Sequence, residues 1–136
     1  MQEEKIYRII DANINRAMEG IRVCEEIARF ILDDKKLTSF AKNLRSLLKS
    51  AVLKIDKKKV MLSRESVKDV GNNIFSKEEK SRSSVRSIFK ANIKRSEEAV
   101  RSLEEFIKLI QPELSPKFKE IRFKLYTLEK ELSLKL

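Results

Sequence analysis

Ala12-Asn13-Ile14-Asn15-Arg16-Ala17-Met18-Glu19-Gly20-Ile21-Arg22-Val23-Cys24-Glu25-Glu26 returns, in altered form, as Ala91-Asn92-Ile93-Lys94-Arg95-Ser96-Glu97-Glu98-Ala99-Val100-Arg101-Ser102-Leu103-Glu104-Glu105. The offset is 79 residues (92 − 13), and it pairs Ala, Asn, Ile, Arg, Glu, Arg, Glu and Glu with themselves. Apolar residues within and around the first copy fall at Ile10, Ile14, Ala17, Ile21, Cys24, Ala28 and Ile31. Steps of four and three lay one apolar stripe along a helix. Phe89, Ile93, Ser96, Val100, Leu103, Ile107 and Ile110 follow the same rule, with Ser96 the polar intruder. One more stripe follows each copy, at Leu37, Phe40, Leu44, Leu47, Ala51 and at Phe118, Ile121, Leu125, Leu128, Leu132. Leu37 and Arg45 align with Leu114 and Arg122 at an offset of 77 (122 − 45). Shared apolar spacing follows from helix physics, but packing does not demand shared polar identities, so the chain reads as an internal duplication.

Each half is then a helical hairpin that cannot bury its stripes alone. Two hairpins facing each other give an all-α four-helix bundle with pseudo-twofold symmetry. The expected layout is a single domain over 1–136, with repeat 1 at about 1–55, a connecting segment at about 56–76 and repeat 2 at about 77–136. Ser76-Lys77-Glu78-Glu79 reads as a capping box that starts a long helix reaching about Ile110. Asp33-Asp34 separates the first two helices, and Ser115-Pro116 offers the last one a capping hydroxyl and a first-turn proline. The stretch from Asp56 to Phe75 has no helical stripe and contains the turn Gly71-Asn72-Asn73. Val60, Met61, Leu62 and Val67 are its possible anchors, and it reads as an ordered loop.

Composition excludes several chemistries. The chain has 136 residues, no histidine and one cysteine, so no imidazole base, Ser-His pair, His-held zinc or internal disulfide exists within it. Cys24 sits on the apolar stripe and reads as core in a reducing compartment. Any metal is left to carboxylates and water, which points to magnesium or to none. A net charge of +10 attracts polyanions in general, while Lys and Glu also crowd ordinary helix surfaces. The basic residues are interleaved with acids and no aromatic platform is present, which argues against nucleic acid. No run of about 18 apolar residues implies a membrane span, and Met1-Gln2-Glu3-Glu4 lacks the basic start of a signal peptide. A cytoplasmic protein is expected. Leftover apolar positions at Ile27, Phe106 and Phe123 make a homodimer the expectation beyond the monomer.

On a helical wheel of about 100° per residue, Asn13 and Glu25 lie about 60° from the stripe centre. Glu19, Arg22 and Glu26 lie well outside it, where i,i+3 and i,i+4 ion pairing accounts for them. Asn13 and Asn92 are poor helix formers, and a buried amide needs partners. Each either bonds neighbouring backbone or faces a pocket beside Arg16 or Arg95. Arg64-Glu65-Ser66 and Asp69-Val70-Gly71-Asn72 place a cation, carboxylates and a turn together, a weak signal for phosphate or magnesium.

The run Arg8-Ile9-Ile10-Asp11-Ala12-Asn13-Ile14-Asn15-Arg16-Ala17, continuing through Glu19-Gly20-Ile21-Arg22, Glu25 and Ala28-Arg29-Phe30, resembles a small thiamine-biosynthesis domain. Asp69-Val70-Gly71 and Ala91-Asn92-Ile93-Lys94-Arg95 with Glu98, Arg101 and Glu104-Glu105 resemble it as well. Cys24 stands where an aliphatic residue is usual, and Glu65 where aspartate is expected. That domain is often fused ahead of thiamine phosphate synthase, and otherwise acts as an alternative hydroxymethylpyrimidine phosphate kinase. No synthase barrel follows Leu136, so a free-standing copy is expected.

The resemblance implies an ATP-dependent phosphotransferase that converts hydroxymethylpyrimidine phosphate to its pyrophosphate with Mg2+. It implies phosphate contacts at Arg16, Arg95 and Arg64, and pyrimidine contacts at Asn13 and Asn92. Asp69 would meet the metal beside the Gly71 turn, and Glu19 and Glu98 would meet the ring or the metal. The competing expectations are a non-catalytic module that docks on or regulates thiamine phosphate synthase, and a plain helical assembly protein.

Overall fold

The computed structural model describes residues 2–76 and 81–136 and contains no strand among them. The helices are α1 (Gln2–Glu26), α2 (Lys35–Val52), α3 (Lys57–Ser63), α4 (Val85–Phe106) and α5 (Ser115–Ser133). α1 packs on α4 and α2, α4 on α5, and α2 closes the ring against α5. The result is the all-α bundle of two hairpins.

The stripes supply the core. Ile10, Ala17, Ile21, Cys24 and Ala28 are wholly buried, and so are Ile93, Ser96, Val100, Leu103 and Ile107 on the facing helix. All five stripe residues of α5 are at zero exposure. On α2 the buried line is Leu37, Ala41, Leu44, Leu48 and Ala51, with Phe40 and Leu47 half-buried on its flank. The expected stripe was therefore one residue off at two positions, because the small Ala41 permits the closer approach. Burial pushes the Cys24 thiol up to about 12, helped by the nearby charges of Glu97 and Glu129.

Boundaries differ from the sequence reading in four places. α1 ends in a π-turn over Ile27–Ile31, which rotates Phe30 and Ile31 into solvent, so Ile31 leaves the stripe. Asp34 accepts from Leu37 N at 2.9 Å and caps α2. The segment after Asp56 is not irregular throughout: Asp56 accepts from Lys59 N and starts the short helix α3. Of its expected anchors only Val60 is buried, while Met61, Leu62 and Val67 are exposed. Residues 77–79 of the proposed capping box lie outside the described residues, and residues 81–84 are not helical. α4 starts instead with a box between Ser84 and Ser87, so the second repeat's helix begins later than expected. At α5, Ser115 is already helical and caps nothing; its hydroxyl donates to Glu104 O at 3.0 Å.

Each hairpin is clamped by the same buried ion pair. Arg45 meets Glu25 at 3.0 Å, and Arg122 meets Glu104 at 2.8 Å. Arg22 with Glu25 and Glu26, and Arg101 with Glu104 and Glu105, extend each clamp along the helix. The expected i,i+4 pairing of Arg22 with Glu26 is present, and packing accounts in addition for the duplicated Glu25 and Glu104, whose arginine partners on the next helix the sequence reading did not foresee. A carboxylate brought into a helix–helix interface must find a cation there, and both hairpins solve it with the equivalent arginine. The expected dimer residues divide: Ile27 is in the core, Phe106 packs against it, and Phe123 stays exposed against Tyr126 and Arg122.

Candidate functional site

The outer face of α1 is the floor of an open cleft of about 880 Å³. From α1 come Lys5, Arg8, Asp11, Ala12, Asn13, Arg16 and Glu19; from the segment after α3 come Arg64, Glu65, Ser66 and Asp69. Helical periodicity explains the first set. Residues 5, 8, 12, 16 and 19 recur at three or four along the side turned away from the core.

The second set is delivered by α3. Val60 is buried, and Ser63 Oγ donates to Val60 O at 2.7 Å, closing the helix. Lys59 bonds Glu3 at 3.3 Å and lies over the Tyr7 ring. The chain then leaves α3 over α1, where Arg64 binds Asp11 side-on: Nε to Oδ2 at 2.8 Å and Nη2 to Oδ1 at 2.7 Å. The bidentate geometry is the strongest an arginine makes with a carboxylate. Asp11 is buried, and its hydrogen bond and charge push the Arg64 guanidinium above its ordinary range.

Beyond Arg64 the segment caps itself. Glu65 accepts from Lys68 N at 2.9 Å, and Asp69 accepts from Gly71 N at 2.8 Å. Gly71 has no positive φ, so the turn does not require glycine's conformational freedom. Asp69 retains Oδ2 toward other partners. Among the described residues no three carboxylates or thiols gather closely enough to hold a metal unaided. The residues fit magnesium only in its phosphate-bound form, in which a carboxylate or two supplement phosphate oxygens and water.

Of the residues the sequence singles out, Asn13, Arg16, Glu19, Arg64 and Asp69 share this cleft. Gly71 lies just outside it. Asn92, Arg95 and Glu98 are not among the residues that line it. Both amides use Nδ2 in the same way: Asn13 donates to Ile9 O and Asn92 to Ile88 O, each at 2.8 Å. The two alternatives for Asn13 are thus both realised, since it bonds the preceding turn and also lines the cleft.

Sequence reasoning missed Asp11, Lys5 and Arg8. Asp11 falls about 100° from the stripe centre and reads as solvent-facing until α3 covers it. The repeat offset carries a signal that separates the halves. At 79 residues on, Lys5, Arg8 and Asp11 become Ser84, Ser87 and Lys90. The cationic rim and its buried carboxylate belong to repeat 1.

The duplicated hairpins form an all-α scaffold that carries a cation-lined cleft on its first repeat. Residues 8–131 match the ThiD2 family, and the chain belongs to it. It is 38% identical over 130 residues to a thiamine-phosphate synthase of Nostoc punctiforme, which covers 96% of this chain and 36% of that one. It is 39% identical over 127 residues to a thiamine-phosphate synthase of Synechocystis sp., covering 93% of this chain and 36% of the relative. A thiamine-phosphate synthase of Rhodopirellula baltica is 37% identical over 135 residues, with 99% and 36% covered. The chain thus spans about a third of the length of these relatives. No solved structure matches it. A role in thiamine biosynthesis follows from the family and these relatives. No helix among the described residues is long and apolar enough to cross a membrane.

Proposed function

We propose that the chain transfers a phosphoryl group from ATP to hydroxymethylpyrimidine phosphate, giving the pyrophosphate and ADP. The observation that carries this reading is the cleft itself. Lys5, Arg8 and Arg16 have no ion pair among the described residues and face a hollow beside Arg64, Glu65 and Asp69. Unpaired cations around a cleft suit two phosphorylated substrates, whose charges must be offset before they can approach.

The chemistry matches the composition. The nucleophile is a phosphate oxygen already ionised near neutral pH, so the lack of histidine is no obstacle. Phosphoryl transfer rests mainly on positioning and charge neutralisation, which arginines supply. In this reading Asn13, held by Ile9 O through Nδ2, offers its carbonyl oxygen to the aminopyrimidine. Arg16 and Arg64 bind phosphate. Asp69 meets the magnesium that accompanies ATP, with Glu19 a further acceptor at the far end of the cleft. Asn92, Arg95 and Glu98 stay in the proposal as the duplicate set, with Arg95 a phosphate contact of lesser weight.

The test is ADP release from protein, Mg-ATP and the pyrimidine monophosphate. Release that depends on the monophosphate supports the kinase; none above a protein-free control overturns it. A second reading is a module that docks on thiamine phosphate synthase, favoured by relatives of that name in which the matched part is 36% of the chain. Co-purification with the synthase without ADP release would select it.

A further inference from the structure

The basic groups around the cleft are not equivalent. Arg64 commits Nε and Nη2 to Asp11, leaving Nη1 without a partner among the described residues. Arg8 and Arg16 lie on one helix eight residues apart, about 12 Å along its axis. Helical side chains lean towards the N-terminus, so both lean the same way and keep their separation. Midway between them Ala12 offers only a methyl group. A single phosphate group therefore does not engage both ends of the cleft.

Lys5 sits one turn from Arg8 on the same face. The cleft continues past this pair into a second hollow of about 400 Å³, lined by Gln2, Glu4, Lys5 and Arg8. Lys5 and Arg8 thus belong to both cavities, and the extra length runs away from Arg16. An extended polyanion fits this end better than a compact one. Beyond it, Gln2 and Glu4 offer hydrogen-bonding groups suited to sugar hydroxyls and a base. Exposed cations without an ion pair occur elsewhere on the surface as well; what sets Lys5 and Arg8 apart is that they line two adjoining hollows.

Resting on the kinase reading above, we propose that α1 carries two anion seats. Lys5 and Arg8 hold the polyphosphate of the nucleoside triphosphate, and Arg16 holds the pyrimidine monophosphate. Between them Arg64, fixed by Asp11, turns its free Nη1 edge to the group in transit. An oxygen of the monophosphate bonds to the γ-phosphorus as the bond to the β–γ bridging oxygen breaks. The electron pair leaves on ADP, and no proton transfer is needed from the already ionised acceptor.

Inorganic tripolyphosphate is the probe that separates this inference from the kinase reading. Calorimetric titration of the full chain should show binding that Lys5→Ala and Arg8→Gln each weaken about tenfold, the loss of one charge-assisted hydrogen bond. Arg16→Gln should leave it unchanged. In ADP-release assays the same two variants should raise KM for ATP by a similar factor, while Arg16→Gln raises KM for the monophosphate. Lys5 is exposed and Arg8→Gln keeps part of the stem, so thermal melts matching the unaltered protein are expected.

Absent tripolyphosphate binding, or binding weakened equally by Arg16→Gln, overturns the two seats. Tripolyphosphate binding as expected without ADP release leaves the seats standing and removes the kinase reading. ADP release with an unchanged KM for ATP in both variants does the reverse.

Discussion

Ser96 Oγ donates to Ala17 O at 3.0 Å, across a separation of 79 residues. That separation equals the repeat offset, so each residue touches its own counterpart, and the pseudo-twofold axis passes between them. The stripe's polar intruder is thus explained. A serine on the axis lets α1 and α4 meet backbone to side chain with no buried donor left over. Gly20, one turn further along α1, completes the approach.

Gly20→Ala should destabilise the fold, although alanine is the better helix former. A Cβ there would collide with Ser96 Oγ and come within 2.7 Å of Asn92 O, which is backbone and cannot swing aside. A loss of about 1–3 kcal/mol in urea unfolding is expected. Ser96→Ala should not restore it, and an unchanged or higher midpoint in the single variant would refute the close crossing.

Arg122→Ala should cost about 2 kcal/mol, because it leaves the buried Glu104 only the half-exposed Arg101 at 3.3 Å. Arg45→Ala should cost less, since Arg45 is about a quarter exposed. Burial pushes the Glu104 carboxyl up, but Arg122 and Arg101 outweigh it and hold the group below its ordinary range. Its contribution is present above the unfolded pKa and lost as pH falls through the folded one. Denaturant midpoints from pH 6 down to pH 3 should drop more steeply for the native chain than for Arg122→Ala.

Glu97 has the opposite sign. Burial and the neighbouring carboxylate of Glu129 raise its pKa from 4.5 to about 7, against the pull of Lys94 at 3.2 Å. The folded state binds the extra proton. Its stabilisation is full below the unfolded value and fades as pH rises through about 7. Glu97→Gln keeps the size of the side chain, removes the titrating group, and should flatten the decline in unfolding midpoint between pH 5 and 8. A parallel decline in the variant would exclude Glu97 as its source.

Asp11→Asn should release the segment carrying Arg64 without unfolding the bundle. Arg64 is 42% exposed, so the stability loss should stay near 1 kcal/mol. Limited trypsin cleavage after Lys68 should quicken instead. Equal cleavage rates would mean that α3, and not the Asp11 pair, holds the segment down.

Under the kinase proposal, Arg16→Ala should lower kcat/KM about 100-fold or more, as a lost phosphate clamp does. Arg95→Ala should lose less, because Arg16 lines the cleft beside Arg64 and Asp69 and Arg95 does not. ADP-release kinetics on both variants decide it, and a larger loss for Arg95→Ala would move the site to repeat 2.

Periodicity made most of the fold legible, since an apolar stripe at steps of three and four has one physical use in water. Caps were less legible. Ser115 had the right chemistry for capping, but its hydroxyl turns to Glu104 O, and the long helix α4 starts at Ser84. Local signals compete, and the packed neighbour decides among them. Of the site, Asn13, Arg16, Glu19, Arg64 and Asp69 were named from sequence and meet in one cleft. Asp11 was not, because its partner lies 53 residues away and comes within reach only once α3 forms.

By itself the sequence determined the four long helices, the duplication and the exclusion of imidazole and zinc chemistry, all of which depend on residue types and near-neighbour spacing. Tertiary structure alone decided which duplicated residues do what. Glu25 and Glu104 became clamps because each hairpin brings an arginine to them. Asn13 and Arg16 came to line the cleft that holds Arg64 and Asp69, because the segment after α3 folds back over α1, which no local spacing specifies. Symmetry in the sequence ends where a single long-range ion pair, Arg64 to Asp11, gives the two halves different surroundings.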